Sequence, residues 1–198
     1  MRRSEHGPDA ALERLWPTLQ TLSEGLCRGL TIAVEVHREH RWRPAADLHL
    51  FHHIARREAM AHLRDLDPRL DEEDNLGLPM SGLLLHPTPV DVLRVWHSDD
   101  GHVRAPATRS GQRFVSQQSA AYDLFTDTSF SSQAMPDVCK TYVQWAARGS
   151  DLTRFDLVRP RGTSGGFVEP DWTIPLLEAM RSPSPGAGYP KTDAGRDE

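Results

Sequence analysis

The sequence predicts an α+β fold, an N-terminal antiparallel helical hairpin followed by a five- or six-stranded, mostly antiparallel sheet. Three observations carry this expectation. Apolar residues recur at helical spacing up to residue 66. Beyond residue 81 the apolar runs are short, rich in Val, Leu and aromatics, and punctuated by Gly, Asp and Pro. An acid-rich stretch with Pro68 and Pro79 separates the two regions. The corresponding division is a hairpin over 1–66, an acidic linker over 67–80, a β-rich region over 81–180 and a disordered tail over 181–198, with one compact domain over 9–180 as the alternative.

Residues 9–41 read as one helix. Leu12, Leu15, Trp16, Leu19, Leu22, Leu26, Leu30, Ala33 and Val34 fall on one stripe roughly 120° wide. Pro8 and Asp9 suit a first turn, where a missing N–H is harmless and a carboxylate meets the helix dipole. Pro17 is expected to kink the helix or mark its start. The segment LTIAVEVHREH, residues 30–40, also alternates as a strand would, but its stripe continues through His37 and His40, which favours helix. Pro44 is expected to open a second helix over 44–66, and so short a connection predicts antiparallel packing.

In the β-rich region, SGLLLHPTP and VDVLRVWH read as strands. SDDG then reads as an Asp-Gly hairpin turn with HVRAPA returning. RSGQRFVSQQ suggests a short helix. CKTYVQWAA and LTRFDLVRP flank the turn RGSD, and FVEPDWTIPLL follows RGTSGG as a further strand. After Met180 the chain carries too little apolar surface to offset its ordering entropy.

The formal net charge of −5 gives no global attraction to nucleic acid or anionic membranes. No apolar run is long enough to span a bilayer, and MRRSEHGPDAAL lacks the apolar core of a signal peptide. Two cysteines, Cys27 and Cys139, are too few for a disulfide scaffold, so a reducing cytoplasm is the expected compartment. All but Lys140 and Lys191 of the 23 basic residues are Arg, a codon bias that suggests a GC-rich bacterial source.

Candidate chemistry concentrates in DLHLFHHIARREAMAHL, residues 47–63. His49 and His53 stand at i and i+4, the spacing that sets two imidazoles side by side. Arg56, Arg57 and Arg64 share their side of the helical wheel and oppose a bound dication. That face therefore reads as a solvated surface, and neither a metal site nor a cofactor is expected. Glu58 and His62 share the same spacing toward Phe51, Ile54 and Ala55, and Asp65 continues the stripe. These three are the candidate catalytic residues, because a carboxylate beside an imidazole fixes its protonation state and can orient a base. The hairpin also places Cys27 near the level of His62.

Other candidates have simpler readings beside them. HSDDGH, residues 97–102, contains metal-ligand residue types, yet a turn explains its Ser, Asp and Gly. The glycines of RPRGTSGG, residues 159–166, lack any phosphate-loop spacing and suit a strand connection needing positive φ. Arg104, Arg109 and Arg113, with Phe114 to stack on a base, form the candidate nucleic-acid patch. Against that patch, basic and acidic residues nearly balance over 76–181.

These observations favour a non-catalytic cytoplasmic bacterial protein-interaction or regulatory module. The near-heptad Leu12, Leu15, Leu19, Leu22 and Leu26 would pair with a protein partner or a second copy, unless the rest of the chain covers them. A metal-assisted or hydrolytic enzyme using Glu58, His62 and Asp65 is one alternative. A nucleic-acid accessory protein using Arg104, Arg109 and Arg113 is the other.

Overall fold

The computed structural model describes residues 7–67, 70, 76–77, 83–116 and 138–181. Helix α1 spans Pro8–Glu39, with Pro8 in the first turn and the helix unbroken through Pro17. Of the two roles expected for Pro17, the helix start is excluded, and Pro8 stands in the first turn as read, where the absent N–H is one the helix end leaves unbonded anyway. Residues 30–39 are helical, and Leu30, Ala33 and His37 are buried together on the inner face. Alternation in that segment loses to the helical stripe because burial rewards only one of the two periods.

The helix ends in a Schellman turn. Trp42 N–H donates to the His37 carbonyl at 2.8 Å and Arg41 N–H to that of Arg38 at 3.1 Å, with Arg41 at φ 55°. A short 3-10 turn over Pro44–Ala46 follows, then helix α2, Leu48–Leu66. The second helix thus starts later than Pro44, because Asp47 caps it: its carboxylate accepts the Leu50 N–H at 3.0 Å.

The two helices pack with unusually close backbones. Gly25 and Gly29 of α1 face Ala59 and Ala55 of α2, and a Cβ on Gly29 would lie 2.3 Å from the Ala55 carbonyl oxygen. Small residues four apart on both helices leave no side chain in the way.

The sheet has six strands in the order β1-β2-β3-β4-β5-β6. They are β1 Leu76–Gly77, β2 Leu83–Thr88, β3 Asp91–His97, β4 Cys139–Arg148, β5 Asp151–Ser164 and β6 Phe167–Pro175. All neighbours are antiparallel except β3 and β4, which run parallel. Helix α3, Arg109–Val115, lies between β3 and β4 in sequence, and α4, Leu177–Arg181, closes the described chain. The fold is therefore the predicted α+β arrangement of a helical pair and a mostly antiparallel sheet.

The SDDG turn forms, but no returning strand pairs with β3 after it. Both sides of β3 are taken by β2 and β4, and after the turn Arg104 bridges to Phe167 of β6 instead. The hairpin containing β3 is instead the one with β2, closed where Thr88 pairs with Asp91. The β5–β6 turn places Gly165 and Gly166 at φ 59° and 84°, the positive values expected of those glycines. Within the stretch expected as a linker, Leu70 is buried and Leu76–Gly77 pairs with β2. Asp67 is the C-cap of α2, and the remaining residues of that stretch, with the tail beyond Arg181, lie outside the described residues.

The main core lies between the helices and one face of the sheet. Leu12, Leu15, Leu19, Leu22, Leu26 and Leu30 of α1 are all fully buried, packed with Phe51 and Leu63 of α2 and with Val95, Val143, Trp145 and Phe155 of the sheet. Each such side chain contributes roughly 1.5–3 kcal/mol by leaving water. The stripe is thus covered by its own chain. Arg14 of α1 ties this layer to the β2–β3 turn, its Nε and Nη2 donating to Asp91 at 3.0 and 2.9 Å, while Thr88 donates to the same carboxylate at 2.6 Å. A smaller cluster on the opposite sheet face holds Val103, Phe114, Val115, Tyr142, Val158 and Val168.

Candidate functional site

The predicted catalytic residues all lie on α2. His62 is largely buried, and its Nε2 lies 3.7 Å from Glu24 of α1. Glu58 is half-buried one turn away, and Asp65 is exposed. The His62 ring instead fills the space beside Gly25, its Cδ2 3.2 Å from where a Cβ would stand. Cys27 belongs to another surface. It lines an open groove of about 570 Å³ with Ser23, Thr31, Asp151 and Arg181. Burial raises its thiol pKa, with Arg181 opposing, so the protonated and poorly nucleophilic form is favoured.

Of the crowded histidines, His49 is exposed and His53 half-buried, while His52 turns to the sheet. His52 stacks on His97 at the end of β3, ring centroids 3.5 Å apart, and both rings meet the edge of Trp145, at 5.5 and 4.7 Å. Burial holds the His52 pKa down to about 3, helped by His97, Arg56 and His49. Burial also lowers that of His97, outweighing Asp99, whose carboxylate is 3.2 Å from His97 Nε2 but well exposed. Arg56, one turn from His52, is only 7% exposed, and its Nε is buried without a hydrogen-bond partner. Two neutral imidazoles and a desolvated guanidinium thus join α2 to the sheet. Their sequence positions lie 45 residues apart, which is why spacing rules applied to each segment alone missed the contact.

A different cleft forms on the far face of the sheet, away from α1 and α2. Strand register places Gln144 of β4 directly opposite Asp156 of β5, with Ala146 opposite Arg154. Gln144, Arg154 and Asp156 line a cleft of about 90 Å³ with His102, Val158 and Thr173. The wall beside Arg154 is the SDDG turn. Gly101 sits there at φ 80°, and a Cβ on it would come 2.5 Å from Arg154 Nη1. The turn glycine therefore serves both backbone geometry and guanidinium packing. Ser98 fixes the same turn, its Oγ donating to Asp100 and receiving the His102 N–H, at 2.7 and 3.0 Å.

The polar groups in this cleft are incompletely satisfied. Gln144 is 4% exposed, and its Nε2 has no hydrogen-bond partner. Arg154 Nη1 reaches Asp156 only at 3.5 Å. Burial raises the Asp156 pKa, with Arg154 opposing. A buried amide N–H left unmade costs about 1–3 kcal/mol, so an unpartnered amide on a residue that lines a cavity calls for an explanation.

The candidate nucleic-acid residues are placed as follows. Arg104 and Arg109 are exposed, and Arg113 is half-buried on α3, where its carbonyl accepts from Lys140 Nζ at 3.4 Å. Phe114 is buried against Tyr142, ring centroids 4.9 Å apart, and lies beneath the Arg94 guanidinium at 4.7 Å. Its face is already used, so it offers no platform to a base. Among the described residues, no group of three or more His, Cys, Asp or Glu is arranged to hold a metal ion, and no helix is long and apolar enough to cross a membrane. Comparison with known proteins finds no matching family model, no matching curated protein and no matching solved structure.

Proposed function

We propose that this chain is a non-catalytic regulatory module of a bacterial cytoplasm that recognises its ligand through the cleft at Gln144, Arg154 and Asp156. The observation that carries the reading is that the cleft is lined by a loose ion pair, Arg154 with Asp156 at 3.5 Å, and by Gln144, whose amide nitrogen is buried without a partner. A ligand that completes these hydrogen bonds recovers a desolvation cost the free protein bears. The Leu stripe is occupied by the chain's own core, so the partner role expected of it passes to this face.

The test is a ligand screen of the intact protein read by amide NMR. Bound ligand should move the resonances of residues 101–103, 144, 154–158 and 168–173 together. Gln144→Leu should abolish those shifts while leaving the fold intact. Ligands that map only to the Cys27 groove, or a Gln144→Leu protein that binds as well as wild type, would exclude the cleft as the functional site.

A further inference from the structure

We infer that the cleft takes a neutral carboxamide group, an acceptor carbonyl beside a donor N–H, and rejects carboxylates and ammonium ions. The inference rests on the cleft being the binding site and adds the chemical class of its ligand. Three arguments lead to it.

The first is the donor and acceptor inventory. Arg154 brings guanidinium donors to the cleft lining, and the amide nitrogen of Gln144, which also lines it, is buried without a partner. Asp156 supplies carboxylate acceptors, and its side-chain partner among the described residues is Arg154, at 3.5 Å. Gln144 and Asp156 are cross-strand neighbours on one face, so a donor and an acceptor stand next to each other. A carboxamide presents the complementary pair along one edge.

The second is charge. Arg154 and Asp156 cancel, so the pair brings no net formal charge to the cleft. A ligand carboxylate would sit beside Asp156, whose own ionisation burial already disfavours. An ammonium would face Arg154. A dipolar, uncharged group meets neither penalty.

The third is size. The cleft holds about 90 Å³. A cavity of roughly 150 Å³ accommodates the six carbons of benzene, so this one suits about four heavy atoms, the size of acetamide. Val103, Val158 and Val168 supply the apolar lining for its methyl or methylene end. The remainder of a larger ligand would project from the mouth.

The same chemistry is presented by a free small amide and by the side chain of Asn or Gln in a peptide. The experiment titrates the intact protein with acetamide, acetate, methylammonium and a blocked glutamine (N-acetyl, N-methylamide), following the Gln144 side-chain NH₂ and the backbone amides of residues 154–158. Acetamide should shift these signals, and acetate and methylammonium should bind at least about tenfold more weakly. Tighter binding of blocked glutamine than acetamide assigns the amide to a peptide side chain; equal or weaker binding assigns it to a free amide. Asp156→Asn is near-isosteric and leaves Arg154 unopposed, so it should reverse the preference toward acetate. Acetate preferred by the wild-type protein overturns the carboxamide assignment but leaves the cleft as a binding site. A screen and titration in which no ligand moves the cleft signals overturn both.

Discussion

The stacked histidines make a quantitative prediction about acid stability. His52 has a folded-state pKa near 3, and its unfolded value is about 6.5. A histidine whose pKa is lowered by folding binds its proton more readily in the unfolded chain. Its contribution is therefore fully present above pH 6.5 and is lost as pH falls toward 3. Each pH unit in that window removes up to about 1.4 kcal/mol per proton. Between pH 7 and 4.5 the limit is about 2.7 kcal/mol, and partial access of solvent reduces the expectation to about 1.5 kcal/mol. His97 acts in the same direction, because burial lowers its pKa too. The perturbation is His52→Phe, which keeps a ring against Trp145 and removes the titrating group. Urea unfolding at pH 7 and 4.5, for both proteins, gives the double difference, in which carboxylates common to both cancel. Wild type should lose about 1–2 kcal/mol more than the variant over that interval. Equal losses would show that His52 titrates in the folded state as it does in the unfolded chain, and would refute the buried, neutral assignment.

Further outcomes test the packing. Gly29→Ala should destabilise by about 1–3 kcal/mol despite alanine's better helix propensity, since its Cβ meets backbone that cannot rotate away; thermal unfolding reads this, and a rise in Tm would show that the helices can separate freely. Asp91→Ala should cost about 2–4 kcal/mol, because it strands Arg14 and the Thr88 hydroxyl at a nearly fully buried position; a loss in urea midpoint typical of a surface substitution would refute the bidentate tie. Arg161→Ala, by contrast, should leave the urea midpoint unchanged, since its Glu169 partner is also in solvent. Gln144→Leu should raise Tm while abolishing cleft binding, because the leucine buries no unpaired amide; a lowered Tm would mean that the amide is satisfied in the free protein.

What was legible in the sequence follows the range of each interaction. The Leu stripe of α1 is a one-dimensional pattern, and the fold reads it back as the buried face. The strands of the β4–β5–β6 meander are equally local, each joined to the next by a short turn. Local signals failed where pairing was distant. The parallel contact between β3 and β4 joins segments more than 40 residues apart, as in Val92 with Lys140, and no turn residue announces it. The Gly25–Gly29 spacing opposite Ala55–Ala59 was a visible signal, although close helix packing becomes apparent only when both segments are compared. Glu58 and His62 stand at helical spacing on α2. That spacing carries no information about Glu24, which comes to 3.7 Å from the imidazole across the hairpin. Gln144 carried no signal of its own within VQWAA, because a polar residue between apolar neighbours is ordinary on a strand with one wet face.

Strand β4 is the exception to that rule, and this is what gives Gln144 its meaning. Its first eight residues are all buried, so both of its faces are covered. Alternation then assigns successive residues to different environments. Trp145 points to the helices, where it meets His52 and His97, and Gln144 points to the cleft. The two sites are therefore separated by a single peptide unit of the central strand. A central strand buried on both faces gains most from apolar side chains, and Val143, Trp145 and Ala146 conform. Gln144 does not, and its amide nitrogen finds nothing to compensate for lost water. Neither strand pairing nor the helical core requires an amide at that position, and the ligand we propose for the cleft would supply the physical reason for one.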